Sequence, residues 1–143
     1  MTRVDFYVLE AAGYERHQRT MCRIVGKAWQ QGHQIFVRCG SQQDAATFDD
    51  LLWRFEDASF IPHTLSETAG DNDRVIIGLE FPQSHEPDVL INLAPVVSDD
   101  VSRYTRVVES AGYDDTTRDL ARQRYRYYQE RGFPLNTHKI KPN

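Results

Sequence analysis

The sequence predicts an open, mostly parallel α/β sheet with helices on both faces. Short β-branched runs alternate with amphipathic helical runs along the chain. A strand–helix–strand unit is complete within residues 4–37, and such a unit joins parallel strands by a right-handed crossover. The length of 143 residues suits one domain with one core and leaves little room for a second.

The first strand is Val4-Asp5-Phe6-Tyr7-Val8-Leu9, with Gly13 in the turn after it. A helix follows from Tyr14 to Gln31. At about 100° per residue, Tyr14, His17, Met21, Cys22, Ile24, Val25, Ala28 and Trp29 share one face. Glu15, Arg16, Arg19, Arg23, Lys27 and Gln30 share the other. Gly32 stops this helix, as glycine commonly does at a helix end. Ile35-Phe36-Val37 is the next strand. Ser41-Gln42-Gln43-Asp44 sets a capping hydroxyl three residues before an acid, and the helix it opens runs to about Phe55. Strands are expected at 74–79, 89–93 and 105–108, all bounded by turn formers. Ser66–Asp73 is a polar loop, and Thr116–Gly132 is the last helix. From about Pro134 the tail is expected to be extended, so that residues 1–143 make one domain.

Apolar residues make up 40% of the chain and charged residues 27%, too apolar a mixture for a disordered protein. Cys22 and Cys39 have no CxxC or zinc-type spacing around them, which removes a zinc finger or a disulfide scaffold. No apolar run approaches the roughly 18 residues of a membrane span. The opening MTRVDFYVLE lacks the apolar stretch of a signal peptide. The expectation is a reduced, cytoplasmic protein without a membrane role.

Net charge is −4, unevenly spread. From Arg118 onward there are seven basic residues and two acidic ones, against ten basic and 19 acidic before it. An acidic body with a basic end points to one local site for an anionic partner, or to a solvated arginine-rich helix. It argues against a surface that coats nucleic acid, because the remainder repels phosphate.

Chemistry-bearing motifs are missing. The loop after the first strand has Gly13 alone, with no GxGxxG and no GxxxxGK[ST] to cradle phosphates. GxSxG and HExxH are also missing. Cys22 and Cys39 read as small buried apolar groups, His17 as a packed or partly exposed residue, and His33 and His85 as solvent residues. Catalysis and cofactors are not expected, and a small nucleotide-binding α/β enzyme is the alternative.

Two surfaces stand out. In the second helix Ala45, Phe48, Leu51, Leu52 and Phe55 share a core face, and Trp53 falls off it. With Phe60, Pro62 and His63 it could form an apolar patch for a protein partner; the other reading covers Trp53 with the chain's own 66–73 loop. On the last helix Arg118, Arg122, Tyr125 and Gln129 form one stripe, while Leu120, Tyr127 and Tyr128 anchor the helix. Guanidinium groups one turn apart, beside an aromatic wall, suit an acidic peptide with an apolar end or a free C-terminal carboxylate; phosphate is the rival ligand.

The motifs converge on a family. Val4-Asp5-Phe6-Tyr7, Cys22 with Lys27, and Gly32-His33-Gln34-Ile35-Phe36-Val37 come first. Asp50-Leu51-Leu52-Trp53, Ser59-Phe60-Ile61-Pro62-His63 and Val89-Leu90-Ile91-Asn92-Leu93 follow. Ala121-Arg122-Gln123-Arg124-Tyr125 and Arg131-Gly132-Phe133-Pro134-Leu135 complete the set. In combination these resemble the chi subunit of bacterial DNA polymerase III holoenzyme over nearly the whole chain.

The resemblance implies a mononucleotide-binding-like, Rossmann-like topology with no need for nucleotide, no catalysis, and a place in the clamp-loader complex during DNA replication. It implies two partners. The psi subunit would cover Trp53, Phe60, Pro62 and His63. The acidic, phenylalanine-ended C-terminal tail of single-stranded-DNA-binding protein (SSB) would dock near Arg118, Arg122, Tyr125 and Gln129, so that DNA is reached only indirectly. Arg118 stands where the family is familiar with lysine, which keeps charge and changes hydrogen-bond geometry. Gln123 stands where glutamate is a familiar alternative. The floor of the tail pocket has no assignment from sequence.

Overall fold

The computed structural model describes residues 2–9, 13–55, 61–65, 74–82 and 88–140. Phe60, His85 and the 66–73 loop lie outside the described residues. Seven strands form one sheet: β1 (Arg3–Leu9), β2 (Ile35–Arg38), β3 (Thr64–Leu65), β4 (Val75–Gly78), β5 (Val89–Asn92), β6 (Arg106–Ser110) and β7 (Leu135–Ile140). Their order is β3-β4-β2-β5-β6-β1-β7, and every neighbouring pair is parallel. The helices are α1 (Tyr14–Gln30), α2 (Gln42–Arg54) and α3 (Asp115–Glu130), with a 3-10 turn at Asp99–Arg103.

Both faces of the sheet are covered, which is why Ile35–Val37, Val75–Ile77, Val89–Ile91 and Val107–Val108 are unbroken apolar runs instead of alternating. On one face Ile35, Val37, Val75, Ile77, Val89 and Ile91 pack under α1 and α2, meeting Met21, Val25, Ala28, Phe48 and Leu52. On the other, Val4, Phe6, Phe36, Ile76, Leu90 and Val107 meet Val101, Tyr104 and Tyr128. α1 and α2 therefore lie on one side, and α3 with the 3-10 turn on the other.

Local chemistry starts the helices where expected. Ser41 accepts the Asp44 N–H at 3.1 Å. At α3, Asp114 accepts the Thr117 N–H at 2.8 Å while Thr117 Oγ1 accepts the Asp114 N–H at 3.0 Å, a reciprocal cap. The opening strand–helix–strand unit is parallel, but β1 and β2 are not neighbours, since β5 and β6 lie between them. Tyr14 departs from its expected packed position: it is 45% exposed, with its ring against Tyr113. His33 is not free in solvent, because its Nδ1 lies 2.6 Å from the Asp88 carboxylate.

Gly112 joins β6 to α3 at a φ of +88°, and a Cβ there would lie 2.7 Å from the Thr117 carbonyl carbon. Both the left-handed backbone and the close approach require glycine. Gly112→Ala is expected to lower unfolding free energy by at least about 2 kcal/mol, read as a fall in urea midpoint; an unchanged midpoint contradicts the close approach.

Candidate functional site

α3 is held by a buried polar network. Glu109, on β6, is fully buried. Its carboxylate accepts Arg124 Nε at 2.9 Å, Asn92 Nδ2 at 2.8 Å and the Tyr128 hydroxyl at 2.7 Å. Arg124 also donates to the carbonyls of Pro95 at 3.1 Å and Ser110 at 3.0 Å. Burial pushes the Glu109 carboxyl above the usual carboxylate range, against the Arg124 charge and the hydrogen bonds that favour the ion. Arg124, counted by sequence with the basic charge at the C-terminal end, spends its charge inside.

With Arg124, Ala121 and Tyr128 turned inward, Arg118, Arg122 and Tyr125 come to the mouth of a cavity of about 310 Å³. Phe6, Val8, Leu9 and Ala121 supply its apolar lining, with Thr137 of β7 at its edge. The Tyr125 ring stands edge-on to Phe6 at 5.1 Å. Arg122 is exposed and paired with Asp119 one turn back. Two guanidinium groups beside an apolar socket can hold a carboxylate next to an apolar side chain. Gln129 lies one turn further on, exposed and outside the cavity lining. The floor comes from β1, distant in sequence from α3; its alternating apolar residues were the only signal.

On α2, Trp53 is 47% exposed and Pro62 is also exposed. The Trp53 ring lies over His63 with centroids 3.8 Å apart. His63 is buried, its Nδ1 2.8 Å from the Ile61 carbonyl and its Nε2 3.1 Å from the Asp49 carbonyl. It therefore backs the indole from below and is not part of the exposed patch that the sequence reading assigned it to. The two surfaces lie far apart. α2 packs by β3 and β4, whereas the α3 cavity opens by β1 on the opposite face, four strand spacings away, or about 19 Å.

The crevice at the carboxyl ends of β2, β5 and β6, where open α/β sheets hold ligands, measures about 260 Å³. That is below the usual range for small-molecule sites. At its wall His17 Nε2 lies 2.7 Å from Ser110 Oγ and His17 Nδ1 lies 3.2 Å from Gln18 Nε2. Burial, with the nearby Arg124 charge, holds the His17 imidazole down at about 4. Burial pushes the Cys22 and Cys39 thiols up to about 12, far from a nucleophile's range. Among the described residues no three His, Cys, Asp or Glu side chains are grouped to hold a metal, and no helix is long and apolar enough to cross a membrane.

Fold and surfaces together define a doubly wound α/β domain whose charged and aromatic features sit on its outer helices and not on a phosphate loop. The family model described as DNA polymerase III chi subunit, HolC, matches residues 1–136, and the chain belongs to this family. It is similar to the DNA polymerase III subunit chi of Pseudomonas aeruginosa, 36% identical over 140 residues that cover 98% of each chain. The Escherichia coli subunit chi is 32% identical over 146 residues, covering 96% of this chain and 97% of the other. That of Haemophilus influenzae is 27% identical over 140 residues, covering 95% and 96%. The family supports an accessory role in DNA replication and fits a protein without catalysis of its own.

The His17 environment carries a pH dependence. An imidazole whose value falls from 6.5 to about 4 on folding contributes stability that is complete above pH 6.5 and is lost as pH falls toward 4. His17→Gln lacks this contribution. The stability difference between the parent chain and the variant should shrink by about 3 kcal/mol across that window in urea titrations; a difference flat with pH contradicts a neutral buried ring.

Proposed function

We propose that the chain is a non-catalytic, cytoplasmic bridge in the clamp-loader complex of DNA polymerase III. One surface holds the psi subunit and the other holds the acidic, phenylalanine-ended tail of SSB. The observation that carries this reading is the cavity beneath α3, where Arg118 and Arg122 flank a socket lined by Phe6, Val8, Leu9 and Tyr125. Such a site takes a peptide whose carboxylates meet the guanidinium groups while its terminal ring enters the socket. The exposed indole of Trp53, braced by His63 and next to exposed Pro62, supports the psi contact, because a rigid aromatic anchor is the commonest centre of a protein interface. Phe60 belongs to the same proposed contact. Gln129 is proposed to meet the tail outside the socket.

The separation of the two surfaces lets both partners bind together. A tail contact of about 1 μM, or about −8 kcal/mol, becomes long-lived when several tails on one coated strand present themselves at high effective concentration.

Arg122→Ala is expected to weaken a peptide ending in Asp-Asp-Asp-Ile-Pro-Phe by about tenfold or more, with psi binding intact. Calorimetry giving equal peptide affinity would remove Arg122 from the site. Affinity for the same peptide should fall as salt rises, since the grip is largely ionic. Trp53→Ala should cost about 2 kcal/mol or more of psi affinity with little change in denaturation midpoint. A large fall in midpoint with unchanged psi affinity would show that Trp53 serves the core.

A further inference from the structure

α1 packs over β2, and further along the sheet lie β6, β1 and β7. Between the helix and these strands runs a trough of about 700 Å³. One stripe of α1, Thr20, Arg23, Lys27 and Gln31, forms a wall, and at 1.5 Å per residue it is about 16 Å long. Arg3 and Arg106 face it from β1 and β6. Arg23 and Lys27 are exposed and make no ion pair among the described residues. The nearby acids are already engaged: Asp5 accepts Arg106 at 2.7 Å, Arg3 at 3.3 Å and His138 at 3.1 Å, and Asp88 pairs with His33. His138 of β7, just outside the trough's lining, lies flat on Tyr7, which is part of that lining, with centroids 4.9 Å apart and planes 23° apart, and its side chain is 46% exposed.

We infer that this trough binds the phosphodiester backbone of single-stranded nucleic acid. Cations spread along both walls, with a flat ring beside them, match a chain of regularly spaced phosphates with bases that can stack. An acidic peptide fits less well. The apolar part of the trough's lining is Ile24, Ala28, Ile140 and the Tyr7 ring, spread among the cations and not gathered into a socket for one side chain, and a carboxylate has no ring to stack on the His138 face. A duplex fits less well again, because its second strand would meet the acidic body. The screening length of about 8 Å at physiological salt keeps that body from cancelling the trough's local charge. This contact is direct, whereas the resemblance implies that DNA is reached only indirectly, and it is independent of the α3 cavity.

The test is fluorescence anisotropy of the full chain with a labelled oligothymidylate of about 16 nucleotides, between about 50 and 200 mM salt. Binding that falls with salt is expected. The double variant Arg23→Gln, Lys27→Gln should weaken it about tenfold and reduce the slope of log K against log salt by about 1.4, at roughly 0.7 per phosphate contact. Both residues are exposed on α1, so the variant should keep its circular dichroism and its affinity for the tail peptide. Arg122→Ala should leave oligonucleotide binding unchanged. No binding at the lowest salt, unchanged binding by the double variant, equal affinity for a duplex, or displacement of the oligonucleotide by the acidic peptide would each overturn the assignment.

Discussion

The placement of α3 depends on one buried ion pair. Glu109 and Arg124 meet where β6 ends, and neither can leave without stranding the other in a buried site. Removing one partner of such a pair costs about 3–5 kcal/mol, more than a typical surface contact by several fold. The pair also joins pieces far apart in sequence: Asn92 from β5, the Pro95 carbonyl, the Ser110 carbonyl and Tyr128 of α3 all bond to it. Arg124 fixes how α3 is rotated about its axis. That rotation brings Arg118, Arg122 and Tyr125 to the cavity over β1.

The regular elements were largely legible in the sequence because their signals are local. The β-branched runs mark β4, β5 and β6, the apolar stripe marks α1, and Ser41 marks the start of α2. Strand order was not legible, since it depends on which crossover spans which strands, and the β1-to-β2 connection passes over two. β7 was read only as extended chain. Asn136, Thr137, His138 and Lys139 are all exposed, so the strand carries no apolar pattern; the backbone ladder pairs it with β1, and the His138–Asp5 bond adds to it. The Asp99–Arg103 turn also went unread, because five residues with one apolar side chain, Val101, carry no helical pattern.

The site was legible in part for the same reason. Arg118, Arg122 and Tyr125 share a helix face, and spacing alone places them together. The cavity floor comes from Phe6, Val8 and Leu9, more than a hundred residues earlier, and nothing local links them to α3. His63 shows the opposite error. Its neighbours Trp53 and Pro62 are exposed, but its ring nitrogens are occupied by main-chain oxygens, and that bonding turned it inward. Arg124 was misread because an arginine on a polar helix ordinarily faces water; only a buried acid on the neighbouring strand makes its burial favourable.

The arginines of α3 differ in availability, and this decides what the helix can do. Arg124 is committed to the interior. Arg131 lies over the Tyr127 ring at 3.6 Å, away from the cavity. Among the described residues Arg122 pairs only with Asp119, and both side chains are mostly exposed. An exposed pair of this kind contributes about 0–1 kcal/mol, so an incoming carboxylate displaces Asp119 at little cost. Arg118 is half-buried at the same cavity. A helix with many cations therefore offers two of them to its cavity, one half-buried and one exposed. In the proposed role, specificity would rest less on net charge than on the apolar socket between them.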